Sequence, residues 1–291
     1  MRKLSPRIMA RARPGALPVP VRTDVTAFAP PAAYDRWDAG VRAVASGDNV
    51  ITIFDVIGED YWSGGGVTAK SVTAQLRAIG HRPITVQINS PGGDMFEGIA
   101  IYELLRVHEQ PITIQIAGIA ASAASIIAMA GDTVEIGAAS FMMIHNCNTI
   151  ALGNRHDFTK QAAEMLRFDT AMAGVYAARS GQTAADCATW MDAETFMQGA
   201  QAVERGFADS LLAADQVTTD PAATTSAKQV NDVRAMELAL VAAGSTRTEA
   251  RARINSIKGT PGAAPADGTP GAAEPADWMT GATALLAALK S

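Results

Sequence analysis

The chain has 291 residues, 48% of them hydrophobic and 18% charged, and a net charge of -5. These values are typical of a soluble globular protein with a packed core. The mild acidity argues against a nucleic-acid partner, because phosphate contacts need clustered Lys and Arg. Two cysteines cannot build a disulfide framework, so we expect a reducing compartment and a cytoplasmic protein.

Residues 1–45 are expected to form a largely flexible N-terminal arm. Basic residues and prolines crowd its first half before the first acidic residue, Asp24, and no apolar centre of a secretory signal lies among them. The folded domain is therefore predicted over residues 46–215.

Within that domain, strands and helices alternate. Hydrophobic patterns predict strands at 50–57, 84–89, 112–117, 133–136 and 141–145, with helices at 68–79, 96–108 and after Gly118. The segment YWSGGG after the first strand is not followed by Gly-Lys-Ser, so it is interpreted as a turn rather than a phosphate-binding loop. This alternation predicts parallel β-α units whose loops gather at the strand ends.

The run from Pro111 to Gly131 carries no charged side chain and reaches the ~20 residues of a membrane span. Its first part, PITIQIAG, alternates as a half-buried strand does, and Gly118 separates it from AASAASIIAMAG. We interpret the run as a strand followed by a buried helix, so no membrane partner is predicted.

One long helix is predicted from His156 to Arg179, with SGQT ending it. It is about twice the average helix length, so part of it is expected to pack outside its own domain. Residues 216–291 form an Ala/Pro/Gly-rich C-terminal extension. It is predicted to hold an amphipathic helix near 231–254, a flexible linker and a short terminal helix, TGATALLAALK.

Three residue patterns at strand ends could carry chemistry. Ser122 follows a strand and a glycine among small residues, near a helix start whose N–H groups favour an oxyanion. Gly93 in SPGGD could present its N–H to the same site, and His145 ends a strand as a candidate base. Each has a purely structural alternative when taken alone: Ser122 could be a small residue chosen for packing, Gly93 part of a tight turn, and His145 a core histidine with its hydrogen bonds satisfied. Together they favour nucleophilic catalysis.

The candidate acids that could orient the imidazole are Asp192 and Glu194, in a loop predicted between two helices, where capping of the next helix is the structural alternative. Lys70 or Lys160 could instead serve as the base of a Ser-Lys peptidase. The four histidines are scattered without the spacing of metal ligands, so no metal site is predicted.

Five blocks together resemble the ClpP-type serine peptidases, over about residues 50–212. They are INSPGGDMFEGIAIYELL, GIAASAASIIAMAG, MMIHN, the long helix ending in SGQT, and ETFMQGAQAVERGFADSLL. The resemblance implies Ser122 as nucleophile, His145 as base, Glu194 as the acid with Asp192 as the alternative, and oxyanion-hole amides at Gly93 and Ala123. It implies no cofactor.

The same resemblance implies a ClpP/crotonase-type α/β fold of stacked β-α units, in which the long helix is a handle joining subunits into rings, heptameric or stacked. Glu194 stands where the family has Asp, and Ala193 stands where it has an Arg tied to double-ring assembly. Asn146 and Cys147 follow the histidine where the family has a proline shortly afterwards.

The early block from Val50 to Gly80 and the C-terminal extension resemble the ClpP-related head maturation proteases of tailed phages and prophages. That branch implies a serine endopeptidase that cuts scaffold or capsid proteins during head assembly. An unfoldase partner can be neither assigned nor dismissed from the residues. The alternatives are a crotonase-like acyl-CoA enzyme and a catalytically inactive assembly protein.

Overall fold

The protein was analysed as a computed structural model, which describes residues 32–43, 47–213 and 216–258. The helices are α1 (Ala33–Arg36), α2 (Ala69–Ile79), α3 (Met95–Arg106), α4 (Ala123–Ala128), α5 (Arg155–Ser180), α6 (Ala184–Asp192), α7 (Gly199–Glu204), α8 (Pro221–Ala242) and α9 (Arg247–Lys258). The strands are β1 (Val41–Ala43), β2 (Val50–Ile53), β3 (Ile84–Ser90), β4 (Ile112–Ala121), β5 (Thr133–Gly137), β6 (Phe141–Ile144), β7 (Thr195–Gln198), β8 (Ser210–Leu212) and β9 (Val217–Thr219).

A mainly parallel sheet carries the fold. Its strands run in the order β2-β3-β4-β5-β8, all parallel, while β6 pairs in parallel with β4 and β7 pairs antiparallel with β6. Helices α2 and α3 connect β2 to β3 and β3 to β4, as parallel neighbours require. The predicted α/β architecture of stacked β-α units is confirmed.

Strand β4 does not end at Gly118, and the predicted helix start directly after that glycine is wrong. With a φ of +95°, Gly118 redirects the strand instead of terminating it. Residues 113–116 pair with β5, and residues 119–121 pair with β6. Helix α4 therefore begins only after Ser122.

Buried Asn89, near the end of β3, holds this bend and the N-terminal segment together. Its Oδ1 accepts from the N–H of Ile119 at 3.1 Å, and its Nδ2 donates to the carbonyls of Asp38 and Val41 at 2.6 and 2.9 Å. Trp37, itself buried, donates from Nε1 to the Asn89 carbonyl at 3.1 Å. The expectation of a flexible arm is therefore wrong for residues 32–43, which are folded against the domain.

Helix α5 matches the predicted long helix within one residue at each end and has 26 residues. Its buried side chains, Met172, Ala173 and Tyr176, lie in its C-terminal half. Phe158 and Leu166 in the other half are 49% and 65% exposed, so the prediction that part of α5 packs outside its own domain stays a prediction. Gly181, with φ +72°, ends the helix.

The C-terminal extension is folded as far as Lys258. Strand β9 pairs antiparallel with β1, and Asp220 caps α8 through its side chain. The single amphipathic helix predicted near 231–254 is instead the pair α8 and α9, separated at Gly244 with a φ of +98°. The predicted linker and terminal helix lie outside the described residues.

No helix in these described ranges combines the length and apolarity that crossing a membrane requires.

Phe207 joins α5 and α6 to the sheet and tests the core packing. Its fully buried ring lies 5.8 Å from the Tyr176 ring and 6.0 Å from the Trp190 ring. We expect Phe207→Ala to lower the free energy of unfolding by about 3–5 kcal/mol. The substitution removes the buried apolar surface of the ring and leaves a cavity whose lining residues lose their van der Waals contacts. Urea unfolding at fixed protein concentration measures this. The matched Leu211→Ala, at a 48% exposed position, should cost far less; equal losses would contradict this view of the core.

Candidate active site

Ser122 lies in the turn between β4 and α4, directly before the helix, close to where the sequence places it. Its φ of 54° and ψ of −125° are unusual for a residue with a side chain. The surrounding bonds hold this turn: the Ser122 N–H donates to the Met143 carbonyl at 3.0 Å, and its own carbonyl accepts from the Ser125 N–H at 2.9 Å. In α/β-hydrolases, a strained strand-to-helix turn of this kind presents the nucleophile.

The glycine turn after β3 packs directly against this serine. A Cβ added at Gly92 would lie 2.6 Å from both the Ala121 carbonyl oxygen and the Ser122 Cβ. A Cβ added at Gly98, on α3, would lie 2.8 Å from the Ala123 Cβ. Residues other than glycine would therefore displace the serine turn.

Two backbone N–H groups are left unpaired beside the serine. In the described part of the chain, the amides of Gly93 and Ala123 donate to no other protein group. Ile57 fixes Gly93 from both sides, since its N–H donates to the Gly92 carbonyl at 2.9 Å and its carbonyl accepts from the Asp94 N–H at 2.8 Å. Gly93 and Ala123 line the same cleft as Ser122, so both amides are available to an oxyanion there.

His145 contacts the serine directly. Its Nε2 lies 2.7 Å from the Ser122 Oγ, and its side chain is 5% exposed. Burial lowers the pKa of His145 below its ordinary value, while the charges of Glu194 and Asp169 partly oppose that shift. The imidazole is consequently neutral near pH 7, the state in which Nε2 can accept the serine proton.

Of the two predicted acids, Glu194 faces the imidazole. Its Oε1 lies 3.9 Å from His145 Nδ1, too far for a hydrogen bond, so the interaction is electrostatic. The Glu194 side chain is 52% exposed and its backbone has a φ of 45°. Asp192 instead accepts a 2.7 Å hydrogen bond from Asn146.

The two acids do not lie in a loop between two helices, so that prediction is wrong. Asp192 is the last residue of α6, and Glu194 directly precedes strand β7.

Two further residues near His145 were missed in the sequence. Asp169, on α5, accepts from the Cys147 N–H at 2.8 Å and faces the imidazole with its charge. The Asn148 side-chain nitrogen lies 3.5 Å from His145 Nδ1. If Nδ1 carries the proton, the Asn148 amide must turn its oxygen towards it. Asp169 belongs to no recognisable motif, since α5 meets His145 only in the folded chain. Asn148 lies three residues after His145 in the sequence, but no motif marks it.

The cysteine beside the histidine is not a competing nucleophile. Burial, with the nearby Asp169 carboxylate, raises the pKa of Cys147 to about 12. A thiol with that pKa stays protonated at neutral pH and is inert.

Ser122 and His145 open into one cleft of about 1710 Å³. Its walls include the glycine turn, the loop after β2, α5 and the C-terminal helices. Lys70 and Lys160 are exposed and are not among the described residues that line it, which disfavours a Ser-Lys pair. Across the described ranges, no group of three or more His, Cys, Asp or Glu side chains is arranged to hold a metal ion.

A serine in contact with a buried histidine, beside two unpaired amides, is the arrangement of acyl-transfer enzymes, and comparison with known proteins agrees. The Clp protease family model matches residues 65–215, just over half of the chain. The chain belongs to the Clp protease family. All the residues discussed above as nucleophile, base, acid and amide donors fall within the matched segment.

Relatives in the Clp protease family are moderately similar to the chain. The proteolytic subunit of the ATP-dependent Clp protease of Pleurastrum terricola is 36% identical over 133 residues, which cover 45% of this chain and 67% of that protein. The same subunit of Deinococcus radiodurans is 29% identical over 150 residues, covering 50% and 74%. Proteolytic subunit 1 of Protochlamydia amoebophila is 30% identical over 135 residues, covering 45% and 66%.

The charge of Glu194 is expected to show in the pH profile. A neutral His145 is required, so activity is present above its lowered pKa and is lost as the pH falls through it. Because Glu194 raises that pKa, Glu194→Gln should move the acidic limb of kcat/KM to lower pH. It should also lower kcat by about 10- to 100-fold, less than the roughly 10⁴-fold loss for a fully buried triad carboxylate.

Asp192→Asn is the matched control, because it keeps an oxygen acceptor for Asn146 and removes a charge that does not face the imidazole. It should leave both the limb and kcat close to wild type. A profile that moves with Asp192 and not with Glu194 would reverse the assignment of the acid.

Proposed function

We propose that the protein is a serine endopeptidase in which Ser122, His145 and Glu194 act as nucleophile, base and orienting acid. The observation that carries the proposal is the 2.7 Å contact between Ser122 Oγ and His145 Nε2, made beside the unpaired amides of Gly93 and Ala123. Membership of the Clp protease family supports the same chemistry.

Peptide hydrolysis would proceed through an acyl-enzyme. Ser122 Oγ attacks the scissile carbonyl carbon as His145 Nε2 takes the hydroxyl proton, and the resulting oxyanion accepts hydrogen bonds from Gly93 and Ala123. His145 then returns the proton to the leaving amine, and the carbon–nitrogen bond breaks. A water, deprotonated by His145, hydrolyses the ester and restores the serine. The neutral state of the buried imidazole supports its role as a base.

An acyl-CoA enzyme of the crotonase type is the second candidate, since it would use the same paired amides to hold a thioester oxyanion. It needs neither a serine nucleophile nor a histidine in contact with it. The Ser122–His145 contact therefore favours the peptidase. A catalytically inactive assembly protein is the third candidate, and it draws support from the long, half-exposed Glu194 contact.

We place the activity in phage head maturation, with scaffold or capsid proteins as substrates in the cytoplasm of a bacterial host. The early block and the C-terminal extension, both resembling that branch, support this role. The extension is folded from Val217 to Lys258, beyond the segment that the family model matches.

The peptidase domain would span residues 46–215, with residues 216–291 as an extension. The domain would assemble into a homo-oligomeric ring, heptameric or stacked, through the exposed half of α5. Phe158 and Leu166 on that half, 49% and 65% exposed, support an interface there.

The chemistry is tested with a serine-directed fluorophosphonate probe. Wild-type protein should be labelled at Ser122, and Ser122→Ala should lose labelling because the attacking oxygen is gone. Mass spectrometry of the labelled peptide identifies the site. Ser210→Ala, an exposed position on edge strand β8, should be labelled as wild type. Binding of a CoA thioester without labelling would favour the crotonase-type alternative.

The substrate class is tested by co-expression with the head and scaffold proteins of the same phage or prophage. Wild type should cleave one of them at defined positions, whereas Ser122→Ala should leave them intact and keep its oligomeric state in size-exclusion chromatography. Equal cleavage by both forms would remove Ser122 from the reaction. Labelling without cleavage of any head protein would keep the peptidase and remove the maturation role.

A further inference from the structure

The loop after β2 is bound to the C-terminal helices by one buried ion-pair cluster. We call residues 55–67 the glycine-rich loop. Arg234 on α8 donates to both carboxylate oxygens of Asp60, at 3.1 and 2.7 Å, and to Asp55 Oδ1 at 3.1 Å. A further guanidinium N–H donates to Asn231 Oδ1 at 2.7 Å. One guanidinium thus joins two carboxylates of a single loop to a helix 174 residues away along the chain.

The Arg234–Asp60 pair of this cluster is buried, whereas Asp55 is 30% exposed. The side chains of Arg234 and Asp60 are 8% and 9% exposed. Burial alone would raise the pKa of Asp60, but hydrogen bonds from Arg234 and Ser63 outweigh it and hold the pKa below its ordinary value. Removing either partner would leave an uncompensated charge in the interior, whereas the intact set is mutually satisfied.

The two aspartates in turn shape the glycine-rich loop. Asp60 Oδ2 accepts from the Ser63 N–H at 2.7 Å, and Asp55 accepts from the N–H groups of Val56 and Gly66 at 2.7 and 3.2 Å. The loop closes on itself through backbone bonds, from Gly58 N–H to the Val67 carbonyl at 2.7 Å and from Val67 N–H to the Val56 carbonyl at 2.8 Å. Arg234 therefore fixes the two carboxylates around which the loop is folded.

Ile57, inside this loop, is the residue that holds Gly93. Its two backbone bonds, to the Gly92 carbonyl and from the Asp94 N–H, bracket the Gly93 amide. The approach is so close that a Cβ added at Gly93 would lie 2.1 Å from the Ile57 carbonyl oxygen. A shift of the loop must therefore move the Gly93 N–H relative to Ser122.

The C-terminal helices also stand in the wall of the cleft that holds Ser122. Leu238 and Val241 of α8 line it, as do Arg247 and Arg251 of α9. Trp62 of the loop donates to Glu237, and the Arg251 guanidinium lies 4.4 Å from the centre of the Tyr61 ring. The contact between α8, α9 and the loop is thus continuous with the site.

We propose that Arg234 is a positioning residue of the peptidase: through Asp55, Asp60 and Ile57 it fixes the Gly93 amide at the place where the oxyanion forms. The proposal rests on the peptidase function proposed above. It makes α8, which lies outside the segment matched by the family model, a working part of the site. Because Gly93 would act on the transition state, the effect belongs in kcat rather than KM.

The test compares Arg234→Met, Arg234→Lys and Asp60→Asn with wild type on one peptide substrate. Arg234→Met should lower kcat by about 10- to 100-fold with KM within about threefold, since displacing a positioned group by about 1 Å can cost about 10²-fold. Arg234→Lys should recover part of the loss, because an ammonium can pair with one carboxylate but lacks the guanidinium fork. The rate of fluorophosphonate labelling should fall in parallel with kcat.

Two readouts separate this role from a structural one. Arg179→Met is the matched control, because it removes another partly buried ion pair, with Asp209, at the C-terminal end of α5, where Arg179 does not line the cleft. It should lower the thermal stability and leave kcat near wild type. The acidic limb of the pH profile should not move in any Arg234 variant, because Arg234 does not contribute to the pKa of His145.

The double variant Arg234→Met with Asp60→Asn should be no slower than Arg234→Met alone, because both act through one contact. If Arg234→Met does not fold, Arg234→Lys and Asp60→Asn carry the test, and a wild-type kcat in both overturns the proposal. A raised KM at unchanged kcat would also overturn it, because α8 and α9 would then contribute only to substrate binding in the cleft. Wild-type protein that neither cleaves nor is labelled would instead overturn the peptidase function itself.

Discussion

The whole site depends on one close approach, between the glycine turn after β3 and the serine turn after β4. The backbone at Gly92 lies where any Cβ would overlap Ser122, so the two strand ends meet without an intervening side chain. That contact sets the distance between the Ser122 side chain and the Gly93 amide. It also holds Ser122 at a φ of 54°, a conformation that costs roughly 1–3 kcal/mol and persists only where the surroundings determine it. Fully buried α4 and the β4–β6 pairing supply those surroundings.

Opposing electrostatic effects act on His145. Burial drives its imidazole towards the neutral state, while two carboxylates, Glu194 and Asp169, stabilise its cationic form. Without those charges, the pKa of a buried imidazole would be lower still. With a carboxylate in direct hydrogen-bond contact, the pKa would be higher and the imidazole would stay protonated to a higher pH. The 3.9 Å separation of Glu194 places His145 between these extremes, with burial as the largest effect.

Much of the site could be predicted from the sequence, because its main groups follow strands in short motifs. Ser122, Gly93 and His145 each end or follow a strand, and parallel strands bring such ends together. The sequence does not predict that β4 continues past Gly118, since a glycine permits a bend within a strand as readily as the end of a strand. The strand continues because residues 119–121 pair with β6. Asp169 gave no signal because its contact joins a helix to a distant loop.

The margins of the domain were harder to predict for a different reason. The apolar residues of the segment 32–43 follow no regular helical or strand period. The segment is held by hydrogen bonds of Asn89 and Trp37 and by the packing of Ala33, Trp37 and Ala39 in one apolar cluster. Helix α8 docks through a small apolar cluster that contains Val233 and Met236, and through Arg234, a charged residue whose type predicts exposure to solvent. In both segments a buried polar contact accompanies a small apolar cluster, and the hydrophobic pattern of the sequence does not reveal that polar contact.

The long chain separation between Asp60 and Arg234 has a consequence during synthesis. Translation at about 5–20 residues per second needs roughly 10–35 s to add the 174 residues between them. For about the last half of that interval the emerging chain already carries Ser122 and His145, but the partner of its glycine-rich loop does not yet exist. The Gly93 amide of the nascent chain would thus be fixed only after α8 has emerged from the ribosome.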